Sequence, residues 1–448
     1  MFERKIYQEM LRWKHDYAPK YALFLKGARR VGKTTLAKKL GEEAYKSHIL
    51  IRFDQVTDDV RNLFVNGLLD LDTLFETLQL IYKTKLFRGE SLIILDEVQL
   101  FPAARQALKT LLEDGRYHYL ETGSLAGITK KSKDILIPSE EYSLDVLPMD
   151  FEEFLYANGL NEFAISAMRK KFECEESLDE PTHNKMMDLF RKYLLVGGLP
   201  DAVNSYLNDH NVQLVRDIQS EIHDYYAADA SKYDEEKKLK IRRIYDLIPS
   251  NMENKKKRVV AQNIENKRGK TFGDYSDEFE YLISAGIALN VQAISNPVFP
   301  LIESTRKNLL KLYLNDVGIL TGILYGNNIR AVLDDEKSVN LGSVYESVVA
   351  SELIAHGYKL FYYDNRCKGE VDYLIDDYNS LSAVPIEVKP GKDYTVHSAL
   401  NTFVQNEDYH IKKAYVLSNE RTVTHNGKIT YLPIYYIMFF KTHPIQKT

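Results

Sequence analysis

Gly27-Ala28-Arg29-Arg30-Val31-Gly32-Lys33-Thr34 follows an apolar run, Tyr21 to Lys26, and opens an amphipathic stretch. The G-x4-G-K-[ST] pattern therefore stands where a strand hands over to a helix, the context its chemistry needs. Glycines let consecutive backbone N–H groups wrap phosphate oxygens, and the helix N-terminus adds partial positive charge. Lys33 is placed to reach the outer phosphates and Thr34 to ligate magnesium, with Thr35 completing the candidate contacts.

Outward from this loop the chain alternates short apolar runs with amphipathic stretches as far as about Leu147, the rhythm of a parallel α/β sheet covered by helices. Predicted strands are Tyr21 to Lys26, His48 to Phe53, Leu92 to Asp96 and Tyr117 to Thr122. Leu92-Ile93-Ile94-Leu95-Asp96-Glu97 is an apolar strand ending in two acids. Asp96 there is a hard oxygen ligand for Mg2+ through water, and Glu97 a base for the attacking water. Thr122 and Ser124, in Tyr119-Leu120-Glu121-Thr122-Gly123-Ser124, end the next strand as candidate sensors of a γ-phosphate. The expected ligand set is ATP and Mg2+.

GARRVGKTT, LIILDEVQ and ETGS, with LPMDFEEFL at 147–155 and YLLVGGLPDAV at 193–203, resemble the AAA-type ATPases whose C-terminal half is a domain of unknown function called DUF4143. The likeness runs over nearly the whole chain. It implies an additional-strand P-loop fold, in which another strand separates the acid-bearing strand from the loop strand. Many members carry Gly-Arg before the Pro-x-x-Phe segment, where this chain has Ser139-Glu140, so a trans-acting arginine is unassigned among Arg29, Arg30 and Arg191. Sites completed between subunits are common in such ATPases, which raises the expectation of a homo-oligomer.

The length of 448 residues exceeds one hydrophobic core and leads to an expectation of several units. These are a P-loop core over 1–150, a helical lid or connector over 151–230, a winged-helix-like unit over 231–305, and a nuclease-like α/β domain over 306–448. Residues 227–240 read as a linker. The net charge of -5 excludes a generally basic, nucleic-acid-coating surface, and two cysteines, Cys174 and Cys367, support neither a disulfide framework nor a zinc site. The charged N-terminus lacks the form of a secretion signal and no apolar run approaches the ~20 residues of a membrane span, so the expected setting is cytoplasmic, without membrane contact.

Near the C-terminus, Gly369-Glu370-Val371-Asp372 and Pro385-Ile386-Glu387-Val388-Lys389 read as two strands presenting acids. Residues two apart in a strand share a face, so Glu387 and Lys389 point together while Ile386 and Val388 turn to a core. Asp372 and Glu387 are candidate metal ligands, Glu346 on an amphipathic helix a further one, and Lys389 a group to position or activate water. The arrangement is similar to the PD-(D/E)XK nuclease superfamily. A Glu-x-Lys pair on a strand also reads as a solvated ion pair, and His397 reads as structural. Lys255, Lys256, Lys257, Arg258, Lys267, Arg268 and Lys270 form a local basic patch within 251–270, a candidate DNA-backbone contact. Two functions follow: an ATP-controlled protein that binds or cleaves DNA through its C-terminal domain, or a regulatory switch ATPase whose nuclease-like domain is inactive and binds a protein partner.

Overall fold

A computed structural model describes residues 2–124, 139–230, 235–253, 257–334, 341–365, 369–391 and 394–441. Five strands, β1 (Ala22–Lys26), β2 (Ser47–Arg52), β3 (Ser91–Asp96), β4 (His118–Gly123) and β5 (Glu141–Asp145), form one sheet in the order β2-β3-β4-β1-β5. Every pairing in it is parallel. β4 separates the acid-bearing β3 from the loop strand β1, the order expected of an additional-strand P-loop fold. Strand periodicity sorts side chains to opposite faces. Leu23 and Leu25 face one core with Leu36, Ile94 and Leu120, while Phe24, Ile93, Leu95 and Tyr119 face another with Leu74 and Leu108. β3 and β4 are buried along their whole length, as central parallel strands covered on both sides must be. β5 lies at the edge and is partly exposed, which is why its sequence, EYSLD, carries too little apolar signal to be read as a strand.

Five helices follow: Phe151–Ala157, Glu162–Glu173, Glu180–Val196, Pro200–Asp209 and Val212–Ala230. Asp150 starts the first of them with a capping box, its carboxylate accepting from Glu153 N at 2.9 Å. The break at Gly197-Gly198 is a tertiary clasp. Gly198 N donates to Asp316 Oδ2 at 2.7 Å, and Met149 N donates to Gly198 O at 2.7 Å. A Cβ at Gly197 would lie 2.2 Å from Asp316 Oδ1 and one at Gly198 1.9 Å from Met149 O, so only glycine fits either place. The expected linker over 227–240 is mostly helical, because Val212–Ala230 and Glu235–Glu253 both extend into it.

The second sheet has eight strands in the order β12-β13-β11-β10-β9-β8-β6-β7. These are β6 (Ala288–Ile294), β7 (Thr305–Leu314), β8 (Phe361–Asn365), β9 (Gly369–Asp377), β10 (Ser382–Lys389), β11 (Ala414–Ser418), β12 (Thr424–Asn426) and β13 (Ile429–Pro433). Short helices and then the antiparallel hairpin β6–β7 follow Glu235–Glu253, in the helix-then-wing order of a winged helix. That hairpin does not end a separate unit: β6 pairs in parallel with β8 and so joins the C-terminal sheet. The boundary expected at 305/306 consequently falls inside β7. One continuous core links Leu25 and Phe151 to Tyr193, Tyr245, Leu282, Val344 and Ile386. The helix Gly342–Ala355 is buried on nearly every face, a correction to its amphipathic reading. Ile434–Phe439 closes the structure as a fully buried 3₁₀ turn, and no helix among the described residues is long and apolar enough to cross a membrane.

Candidate functional site

The loop Gly27–Gly32 joins β1 to the helix Lys33–Ala44, whose N-cap, Gly32, holds φ +96°. A Cβ at Gly27, φ +150°, would meet Val146 O at 2.2 Å, so this end of the loop also requires glycine. Lys33 is buried, and its Nζ donates to Gly27 O at 3.0 Å and Ala28 O at 2.7 Å. Asp96, at the C-terminal end of β3, gathers two hydroxyls on one oxygen: Thr34 Oγ1 donates at 2.8 Å and Thr122 Oγ1 at 2.6 Å. Parallel register puts these groups at the same end of three neighbouring strands, where ligands of open α/β sheets bind. Glu97 follows with φ +60°, its N–H donating to Thr122 Oγ1 at 3.2 Å and its carboxylate bonded to Gln99. A non-glycine residue held in this region carries backbone strain of the kind concentrated at functional sites. Ser124 lies just beyond β4, and Thr35 is exposed on the helix.

Remote segments also grip the loop. Arg4 donates to Val31 O at 3.1 Å and Leu147 O at 2.7 Å, and Tyr226 OH donates to Arg29 O at 2.9 Å. Gly286 packs so closely that a Cβ there would lie 3.2 Å from Ala28 N. Arg30, about half exposed, is engaged within its own chain by Asp201 at 3.1 Å and Glu221 at 3.7 Å. None of these contacts has a motif by which the sequence could announce it.

The C-terminal acids meet across the second sheet. β9 and β10 pair antiparallel with Tyr373 opposite Ile386, which sets Asp372 beside Glu387. Asp372 Oδ2 accepts from Val388 N at 2.9 Å, and Lys389 Nζ lies 2.9 Å from Glu387 Oε1. Glu346 reaches the cluster from the helix Gly342–Ala355. Burial, with Asp372 nearby, pushes the Glu346 carboxyl up to about 7 and the Glu387 carboxyl up to about 8. Two lysines absent from the sequence reading of this centre complete it. Lys257 pairs with Glu346, and the fully buried Lys311 of β7 pairs with Glu370. Glu346, Asp372 and Glu387 do not bring three ligand atoms within 4.8 Å of one another; among the described residues only Asp150, Glu352 and His356 do so, with two carboxylate oxygens and a ring nitrogen.

Within the basic patch the described residues divide: Lys267 and Arg268 are exposed, whereas Lys257, Arg258 and Lys270 are partly buried. Lys257 is turned to Glu346, Arg258 to Asp364 at 3.1 Å, Lys267 to Glu265 at 3.8 Å and Lys270 to Asp274 at 3.6 Å. Lys255 and Lys256 lie outside the described residues. His397 is buried against Tyr431 OH at 2.8 Å, a structural role.

Strand order, loop and acid-bearing strand together define a P-loop ATPase fold of the AAA type. Family comparisons give the same class: residues 19–155 match the AAA domain, 187–328 a domain of unknown function (DUF8612), and 341–437 the domain of unknown function DUF4143. The chain thus carries an AAA domain and a DUF4143 domain. The middle match runs across β6 and β7, in keeping with a hairpin that belongs to both neighbours. Among solved structures, a Walker-type ATPase of Pyrococcus abyssi is similar at 16% identity and a TM-score of 0.40, covering 72% of this chain and 95% of its own. The ORC1 protein of Aeropyrum pernix in complex with DNA is similar at 14% and 0.27, covering 73% and 94%. AMPPCP-bound DnaA from Aquifex aeolicus is similar at 15% and 0.27, covering 63% and 87%. No curated protein matches the chain.

Proposed function

We propose that the chain binds ATP-Mg2+ at Gly27–Thr34, hydrolyses it, and uses the nucleotide state to reposition the segments that grip this loop. The reading rests on one observation above all: Asp96 collects the Thr34 and Thr122 hydroxyls on a single oxygen beside a phosphate-type loop. That donor set is all hard oxygen, which fits Mg2+. Thr34 and Asp96 would hold the ion, which when bound neutralises charge on the β- and γ-phosphates. Lys33, now bonded to loop carbonyls, would exchange them for phosphate oxygens. Glu97, oriented by Gln99, would polarise the attacking water, and Thr122 and Ser124 would sense the γ-phosphate. Lys33→Ala tests the reading: titration of a fluorescent ATP analogue should show wild-type binding and its loss in the variant, and unchanged affinity would refute it.

For the C-terminal centre, Asp372 and Glu387, with Glu346 as a further ligand and Lys389 beside them, have the donor chemistry of a PD-(D/E)XK nuclease acting on DNA. The Lys257–Glu346 pair favours a second reading, in which a lysine supplies the positive charge a metal would bring and the domain serves as a regulated docking module. Nicking of supercoiled DNA with Mg2+, with and without ATP, separates them. Cleavage by wild type or Lys257→Ala that disappears with added Glu387→Ala supports the nuclease; none by either supports the switch.

A further inference from the structure

Away from both centres, the helices Val212–Ala230 and Val317–Tyr325 enclose a cleft of about 270 Å³. Gln213, Arg216, Ser220 and His223 line it from the first helix at the three- and four-residue spacing of one face, opposite Ile319 and Gly322. Arg216 is 6% exposed. Its Nη1 donates to neutral acceptors: Leu195 O at 3.2 Å, Gln219 Oε1 at 2.7 Å, Gly318 O at 3.0 Å and Thr321 Oγ1 at 3.1 Å. Its Nε and Nη2 are buried without a hydrogen-bond partner. Asp316 acts on the guanidinium only through space, its own oxygens accepting from Gly198 N and Ile319 N. Two helical turns beyond Arg216, the His223 Nε2 is likewise buried without a partner, the ring stacked on Tyr245 at 4.9 Å. Asp217 at the rim accepts from Gln213 Nε2 at 2.9 Å.

A buried guanidinium with two unpartnered nitrogens, three N–H donors in all, is an expensive arrangement in a folded protein, because each unsatisfied donor keeps its desolvation cost. Burial lowers the Arg216 pKa to about 10, which leaves the group charged at neutral pH. Its planar fork matches the paired oxygens of a carboxylate or phosphate. We propose that this cleft is a binding site for a small oxyanion, with Arg216 as its charge partner and Ser220 and His223 as neutral contacts. The cleft's helix also touches the phosphate loop, through Tyr226 to Arg29 and Glu221 to Arg30, so occupancy is mechanically connected to the nucleotide site.

Calorimetric titration of the full chain with inorganic phosphate and, separately, with succinate tests this in low-chloride buffer. A Lys33→Ala background removes phosphate binding at the loop. Saturable 1:1 binding of either anion is expected, phosphate marking a phosphoryl ligand and succinate a carboxylate one. Arg216→Gln should weaken it at least tenfold. Ser220→Tyr, an exposed-site change that fills the cleft while leaving the Arg216 hydrogen bonds in place, should do the same. No binding of either anion, or binding that Ser220→Tyr leaves intact, would overturn the proposal.

Discussion

The two candidate centres solve opposite electrostatic problems. At the nucleotide loop the central groups are positioned by backbone and hydroxyls: Lys33 rests on two carbonyls, and Asp96 is held by Thr34 and Thr122. At the second sheet, Glu346, Glu370, Asp372 and Glu387 crowd together and are offset by Lys257, Lys311 and Lys389. A loop built from main-chain geometry is ready for a highly charged ligand because little has to be displaced. A buried carboxylate cluster without such a ligand raises its own pKa values and recruits ammonium groups, as Glu346 and Glu387 do. The first site is therefore expected to open to its ligand at little cost, whereas the second must surrender protons or a lysine first.

The largest test of that contrast is Glu97→Gln, which should leave ATP affinity near wild type and reduce steady-state hydrolysis by about 10²–10⁴-fold, as loss of a general base does. Equal turnover in a phosphate-release assay would show that Glu97 is not the base. Lys33→Ala is expected to weaken ATP by roughly 10–100-fold, the scale of a lost charged hydrogen bond, measured by equilibrium binding. At the second centre the sign of the pH effect is set by Glu387, whose carboxyl sits at about 8 and is mainly protonated at pH 7. Metal binding needs the carboxylate, so Mn2+ affinity should rise with pH, by up to about tenfold per unit, and level off above pH 8. A flat calorimetric profile between pH 6 and 8 would erase the distinction between the two sites. The smallest effect concerns their connection. Gly286→Ala puts a Cβ 3.2 Å from Ala28 N at φ +71° and should cost about 1–2 kcal/mol in denaturant unfolding, with a few-fold change in ATP affinity.

Legibility followed burial. β1, β3 and β4 were readable within one residue, because central parallel strands are buried on both faces, and β2, at one edge of the sheet, was readable because it keeps the apolar run Ile49-Leu50-Ile51. Edge strand β5 was not, since Glu141, Ser143 and Asp145 leave few apolar positions. Asp372, Glu387 and Lys389 were legible as a group because two paired strands and a period of two bring them together. Lys257 and Lys311 were not, because their partners lie 89 and 59 positions along the chain and ion pairing leaves no periodic mark. Lys257, read as part of a surface patch, is instead a partly buried counter-charge to Glu346.

By itself the sequence determined the phosphate loop and its acid-bearing partner strand, because a contiguous motif dictates its own backbone through glycine, strand and helix propensity. Tertiary structure alone decided what the loop is coupled to. Arg4, Tyr226 and Gly286 reach it from three distant segments, the wing hairpin merges into the C-terminal sheet, and Arg216 is buried with two of its nitrogens lacking a hydrogen-bond partner. Those outcomes depend on close packing and desolvation between residues far apart in the chain, quantities that no local run of residues encodes.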